Sequence, residues 1–153
     1  MRKVEIRKES FREIWPEARD LLEQHYKEIG LYNSKVVFDP DVERYESLCD
    51  AGALYIVAVR VEGTLVGYCA NFITQSLHYK ATKSCINDVF YIHPDYRKGF
   101  LGVRLIKEME SLMKEEGVNV LMFNFKTYAP LDSLFSRLGW DFSEKVYTKY
   151  LGD

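Results

Sequence analysis

The chain has 153 residues, of which 47% are hydrophobic and 29% charged, and its formal net charge is −2. That length fills one well-buried core and is short for two, so a single domain spanning 1–153 is the expectation. A slightly acidic chain has no uniform basic field, which excludes nonspecific nucleic-acid binding and confines any phosphate site to a local feature. Cys49, Cys69 and Cys85 lack the spacing of a metal site, as do His25, His78 and His93, so reduced thiols in the core and no metal are expected. Met1–Lys8 is charged and no apolar run approaches the roughly 20 residues of a membrane span, so no membrane partner and a cytoplasmic location are expected.

Val4 to Arg7 alternates apolar and charged residues, as a short half-buried strand does. Ser10 and Glu13 have capping-box spacing for a helix in which Pro16 should cause a kink or restart, and Ala18, Leu21, Leu22, His25, Tyr26 and Ile29 share one face before Gly30. Leu31 to Phe38 reads as a loop. A second helix is signalled by Asp39 as N-cap, Pro40 at the first helical position and Gly52 at its close. Leu54–Val61 and Leu65–Thr74 flank Glu62-Gly63-Thr64 as a hairpin, and Lys83–Ile92 is the next strand. A helix follows, with Leu101, Leu105, Ile106, Met109, Leu112 and Met113 on one face and Gly117 at its end. Val118–Phe125 then reads as a strand, Leu131–Leu138 as a short helix stopped by Gly139, and Phe142–Leu151 as a final strand. Antiparallel hairpins thus come first and an α/β crossover follows.

The segment Tyr96-Arg97-Lys98-Gly99-Phe100-Leu101-Gly102 passes directly from a strand into a helix. Such a turn leaves the first helical N–H groups unpaired, and with the helix dipole and Arg97, Lys98 and Arg104 nearby it forms an anion site suited to phosphate or pyrophosphate. A P-loop would need Gly-Lys-Ser/Thr here, where Gly102-Val103-Arg104 stands. The dinucleotide fingerprint Gly-x-Gly-x-x-Gly is absent as well.

With the lead-in Ile92-His93-Pro94-Asp95-Tyr96 and the later Leu134-Phe135-Ser136-Arg137-Leu138-Gly139-Trp140, this turn resembles the GNAT superfamily of acyl-CoA-dependent N-acyltransferases. Element order agrees over nearly the whole chain, and the specific motifs run from about Asp88 to Trp140. The resemblance implies an α/β (α+β) fold with a mixed, mostly antiparallel central sheet flanked by helices. It also implies acetyl-CoA as cosubstrate and an amine acceptor. The residues it designates for acetyl-CoA are Arg97, Lys98, Gly99, Phe100, Leu101, Gly102 and Val103 at the turn, and the backbone of Phe90 and Ile92 for the pantetheine arm. Two aromatic departures stand out. Phe100 occupies the first glycine position of the family's Arg/Gln-x-x-Gly-x-Gly/Ala motif, and Phe135 stands where many members carry a tyrosine that protonates the leaving thiolate.

Transfer to an amine requires the neutral amine, and a lysine-like pKa of about 10.4 leaves a deficit of about 3 units near pH 7.4, roughly 4 kcal/mol. Asp88, four residues before Ile92, resembles the family's acidic strand position and is the candidate base; capping a loop or pairing with a lysine is the plainer alternative. Tyr128 is the candidate hydroxyl in place of the missing tyrosine, with water as the other proton source. Asp39, Asp41 and Glu43 read first as a solvated helix start and second as a lure for a cationic amine. A catalytically weak acyl-CoA-binding protein acting through a partner surface is the second reading. Lys145–Leu151, as a final strand, would serve a homodimer as in some family members.

Overall fold

The computed structural model describes residues 1–32 and 34–152. Five strands, β1 (Val4–Lys8), β2 (Leu54–Val61), β3 (Thr64–Gln75), β4 (Lys83–Ile92) and β5 (Val120–Met122), form one sheet in sequential order. The first three pairings are antiparallel and β4–β5 is parallel, which is the mixed, mostly antiparallel sheet expected. Helices α1 (Phe11–Ile29) and α2 (Val42–Asp50) cover one face, α3 (Leu101–Glu115) covers the other, and α4 (Asp132–Arg137) follows β5.

Because both faces are covered, β2 is apolar at nearly every position. Ile56 and Ala58 meet Phe11, Ile14 and Ala18 of α1, while Val57 and Val59 meet Leu105, Met109 and Met113 of α3. Each fully buried apolar side chain of this kind contributes about 1.5–3 kcal/mol. The β2–β3 hairpin turns at Glu62-Gly63, both with positive φ (50° and 81°), the conformation whose twist suits a two-residue hairpin loop.

The expected capping box forms: Ser10 Oγ accepts from the Glu13 N–H at 3.2 Å and Glu13 accepts from the Ser10 N–H at 2.6 Å. Pro16 neither ends nor restarts α1. The carbonyl it leaves without its helical partner belongs to Arg12, and both residues are exposed, so that carbonyl is open to solvent. The second helix is capped two residues later than expected, by Asp41, whose carboxylate accepts from the Arg44 N–H at 3.0 Å. Pro40 therefore precedes the cap.

Two strands differ from expectation. β5 is shorter than Val118–Phe125, because the Val118 N–H closes onto the Met113 carbonyl of α3 and the pairing with β4 ends at Met122. Phe142–Leu151 has no regular secondary structure. β5 offers a three-residue ladder, and Tyr147 interrupts the lysine face of the segment, so register is weakly specified. Thr148 and Tyr150 instead meet Tyr32 of the α1–α2 loop, at 3.3 Å and at a ring distance of 5.7 Å. The strand expected to serve a homodimer is thus not formed.

Candidate active site

The site begins where β4 loses one of its neighbours. Ser84, Cys85 and Ile86 pair with Val120, Leu121 and Met122, and beyond Ile86 the edge of β4 away from β3 is open. One residue later the β3 register skips: Asn71 pairs with Asn87 and Ala70 with Val89, so Asp88 is a bulge without a partner. The His93 N–H bonds the Val66 carbonyl at 2.8 Å, and by strand alternation Tyr91 shares that ladder side while the backbone of Phe90 and Ile92 faces the open edge. Opposite them, Gly67 allows a close approach: a Cβ there would lie 2.7 Å from the Tyr91 carbonyl oxygen.

Next comes a short 3-10 turn, Pro94–Tyr96, and then the anion-type turn. Gly99 adopts φ of 97°, a conformation that disfavours any other residue. Phe100 is the N-cap of α3 and supplies no side-chain cap, and the first turn holds no acidic residue. The first intrahelical bond of the turn runs from the Arg104 N–H to the Phe100 carbonyl at 2.9 Å, leaving the N–H groups of Leu101, Gly102 and Val103 for an external acceptor. The Phe100 ring is 79% exposed and takes no part in the core. A Cβ at Gly102 would meet only Ile92 Cδ1, at an ordinary 3.7 Å. The protein's own packing does not require glycine there, whereas a pyrophosphate lying against the backbone does. Free donors and unfilled room fit that group.

The cations divide. Arg97 is clamped: its two Nη atoms bond the Glu28 carboxylate at 2.6 and 2.7 Å, Nε bonds the Ile92 carbonyl at 2.7 Å, and the guanidinium lies over Tyr91. The clamp raises the Arg97 pKa and lowers that of Glu28. Arg97 therefore fastens the turn to the last stretch of α1. Lys98 and Arg104 make no ion pair among the described residues and leave their charge available at the turn. His25, expected to have no metal role, packs on Tyr91 at 4.9 Å, and burial lowers its pKa to about 4, so it is neutral at physiological pH.

Asp88 makes no hydrogen bond or salt bridge among the described residues, so neither a loop cap nor a lysine pair accounts for it. The residue is exposed overall, and partial desolvation by the elements around it raises the pKa of its carboxyl. The charge of Asp88 also acts on Tyr45 of α2, whose pKa is raised first by burial and then by Asp88. Val89, beside it, joins Phe11, Trp15, Tyr45 and Tyr68 around an apolar slot of about 20 Å³ between α1, α2 and the sheet. The Tyr128 hydroxyl donates to the Ile29 carbonyl at the end of α1, at 2.5 Å, and among the described residues makes no hydrogen bond to Asp88. Phe135 is buried among Phe123, Phe125 and Trp140, so the position of the missing tyrosine is filled as core.

Residues 4–140 match the family model described as Acetyltransferase (GNAT) family. The chain belongs to this family. As a GNAT member it is an acyl-CoA-dependent N-acetyltransferase. Among solved structures, it is similar to a ribosomal-protein-alanine N-acetyltransferase from Brucella melitensis biovar Abortus 2308, at TM-score 0.73 and 21% identity, covering 98% of this chain and 100% of that one. The aminoglycoside N-acetyltransferase AAC(6')-Iy in complex with CoA gives TM-score 0.76 at 14% identity, covering 98% and 95%. Glucosamine-6-phosphate N-acetyltransferase from Arabidopsis thaliana gives 0.74 at 15% identity, covering 97% of this chain and 99% of that one. A search of the curated proteins gives no match. At these identities the solved structures speak for the fold. One feature of this acetyltransferase's site was missed in its sequence, the clamp of Glu28 on Arg97, which joins residues far apart in the chain and leaves no local signal.

Proposed function

We propose that this acetyltransferase moves an acetyl group from acetyl-CoA to a primary amine by direct attack, with Asp88 as the base. The N–H groups of Leu101, Gly102 and Val103 hold the pyrophosphate, with Lys98 adding charge, and Gly99 and Phe100 shape the turn. Phe90 and Ile92 bond the pantetheine arm along the open edge, and an N–H on that edge polarises the thioester carbonyl. Asp88 takes the ammonium proton, directly or through one water, and the amine nitrogen forms its bond to the acetyl carbon as the carbon–sulfur bond breaks. The acylated nitrogen gives its second proton to water, and the departing thiolate takes a proton from water or from Tyr128, which would first release Ile29.

The observation that carries this reading is an unpaired carboxylate at a bulge, on a strand whose outer edge is open from Asn87 onward. A carboxyl with a raised pKa is also a better proton acceptor than an ordinary one. Thiol release from acetyl-CoA across a panel of polyamines, aminoglycosides and peptide N-termini tests it. Turnover on at least one amine, lost in Asp88→Asn while acetyl-CoA still binds, is the expected result. CoA binding with no turnover on any amine would return the protein to the weak acyl-CoA-binding reading.

A further inference from the structure

Asn71 of β3 and Asn87 of β4 are 0% and 5% exposed, and most of the buried side chains around them on these strands are apolar. A buried amide is tolerated when its hydrogen bonds are made, and apolar side chains of similar size would pack without that condition. These two make theirs around the bulge. The Asn87 Nδ2 group has the Ala70 carbonyl at 3.2 Å on the neighbouring strand and the Val89 carbonyl at 3.1 Å on its own, so it bridges the interruption at residue 88. It also lies 3.2 Å from Asn71 Oδ1 and 3.1 Å from Cys69 Sγ. Asn71 is held in turn, donating from Nδ2 to the Tyr55 and Cys69 carbonyls at 3.2 and 3.3 Å, while its Oδ1 accepts from the Cys69 thiol at 3.3 Å.

What this bracket decides follows from strand alternation. With Asp88 inserted as an extra residue, Val89 and Tyr91 share the β3 ladder, and Phe90 and Ile92 turn their backbone outward. Without the insertion the remainder of β4 would slip by one, Phe90 and Ile92 would turn into the ladder, and their side chains would change faces. Phe90 now packs with Phe123 on the α3 side and Tyr91 with Tyr68 on the α1 side, so such a slip would also unmake both layers.

We propose that Asn87 is a positioning residue for acetyl transfer: together with Asn71 it locks the bulge, and so sets both the freedom of Asp88 and the backbone groups shown on the open edge. This rests on the reading of that edge as the acetyl-CoA site. The test is the double variant Asn71→Leu/Asn87→Leu in the full chain, which replaces both amides at similar size and is checked for folding by circular dichroism. A folded double variant is expected to bind acetyl-CoA at least about tenfold more weakly by calorimetry. The Asp88 carboxyl, followed by carbon-13 NMR, is expected to titrate nearer the ordinary aspartate range, and the acid limb of the kcat/KM profile should move with it. Unchanged CoA affinity together with unchanged Asp88 titration in the folded variant would overturn the proposal. In the wild-type protein the Asn87 side-chain amide protons should exchange slowly with solvent; exchange at the rate of a free amide overturns it whether or not the variant folds. A wild-type protein that binds CoA and acetylates no amine removes the base assignment, while the affinity and titration measurements still judge Asn87.

Discussion

The two halves of β4 are continuous in sequence and differ in what lies beside them. Lys83–Ile86 runs between β3 and β5, with Ser84 and Cys85 buried, and its backbone has a partner on both sides over Ser84–Ile86. Asn87–Ile92 keeps β3 and, among the described residues, has no strand on its other edge. A strand paired on both sides has no backbone to offer a ligand, whereas an open edge is a ready template for an extended one. In this fold the change from one state to the other coincides with a single unpaired residue, and that residue is the carboxylate proposed to do the proton transfer. The first half of β4 holds the sheet together, and the second half leaves an open edge where the proposed acetyl-CoA site lies.

The sharpest way to break this contrast is Asp88→Asn. The variant should lose about 10²–10⁴-fold in kcat, the range for a missing general base. Stability should move the other way. The folded pKa of Asp88 is raised, so the ionised carboxylate favours the unfolded chain. That penalty is absent below the unfolded pKa, appears as pH rises through the folded pKa, and is fully present at pH 7. The neutral variant should therefore melt at the same or a higher temperature than wild type at pH 7, with the difference vanishing near pH 3. A structural carboxylate would give the opposite sign. In the wild type, the acid limb of kcat/KM should lie above the ordinary aspartate range.

A second break uses the two glycines that flank the open half. Gly67→Ala places a Cβ 2.7 Å from the Tyr91 carbonyl, so the strands must part, at a cost of about 1–3 kcal/mol. Chemical denaturation would read that loss directly. Gly102→Ala meets only Ile92 Cδ1 at 3.7 Å and removes a glycine from a helix, so it should stabilise the chain by up to about 1 kcal/mol. Acetyl-CoA affinity should nonetheless fall severalfold, because the added methyl occupies the room left for the pyrophosphate. Calorimetric titration beside a melting curve separates the two effects; a variant that gains stability and keeps full affinity would remove Gly102 from the binding site.

Local features were legible in the sequence wherever a residue type acts on its own neighbours. Ser10 and Glu13 specify a capping box, Glu62-Gly63 a hairpin, and the residues from Lys83 to Gly102 a strand, a turn and an unpaired helix start. Features set by register or by distant partners were not. The bulge exists only relative to β3, and the Arg97–Glu28 clamp joins residues far apart in the chain, so a motif arginine that reads as a phosphate ligand is occupied by a carboxylate. The final strand failed for a related reason: its alternation is real but imperfect, and the β5 edge it would need is three residues long.

The smallest expected effect concerns the proton at the other end of the reaction. A thiol of pKa about 8.5 lies only about 1 unit above pH 7.4, so releasing it as thiolate costs roughly 1.5 kcal/mol, against roughly 4 kcal/mol for the amine. The base is therefore the greater need and the acid the lesser one, which accounts for how Phe135 can be buried as core without closing the route. Tyr128→Phe removes the hydroxyl now bonded to Ile29, and it should lower kcat by less than about tenfold, with KM for acetyl-CoA unchanged. A loss comparable to that of Asp88→Asn would instead make Tyr128 the general acid, and would require its hydroxyl to leave the α1 carbonyl during each turnover.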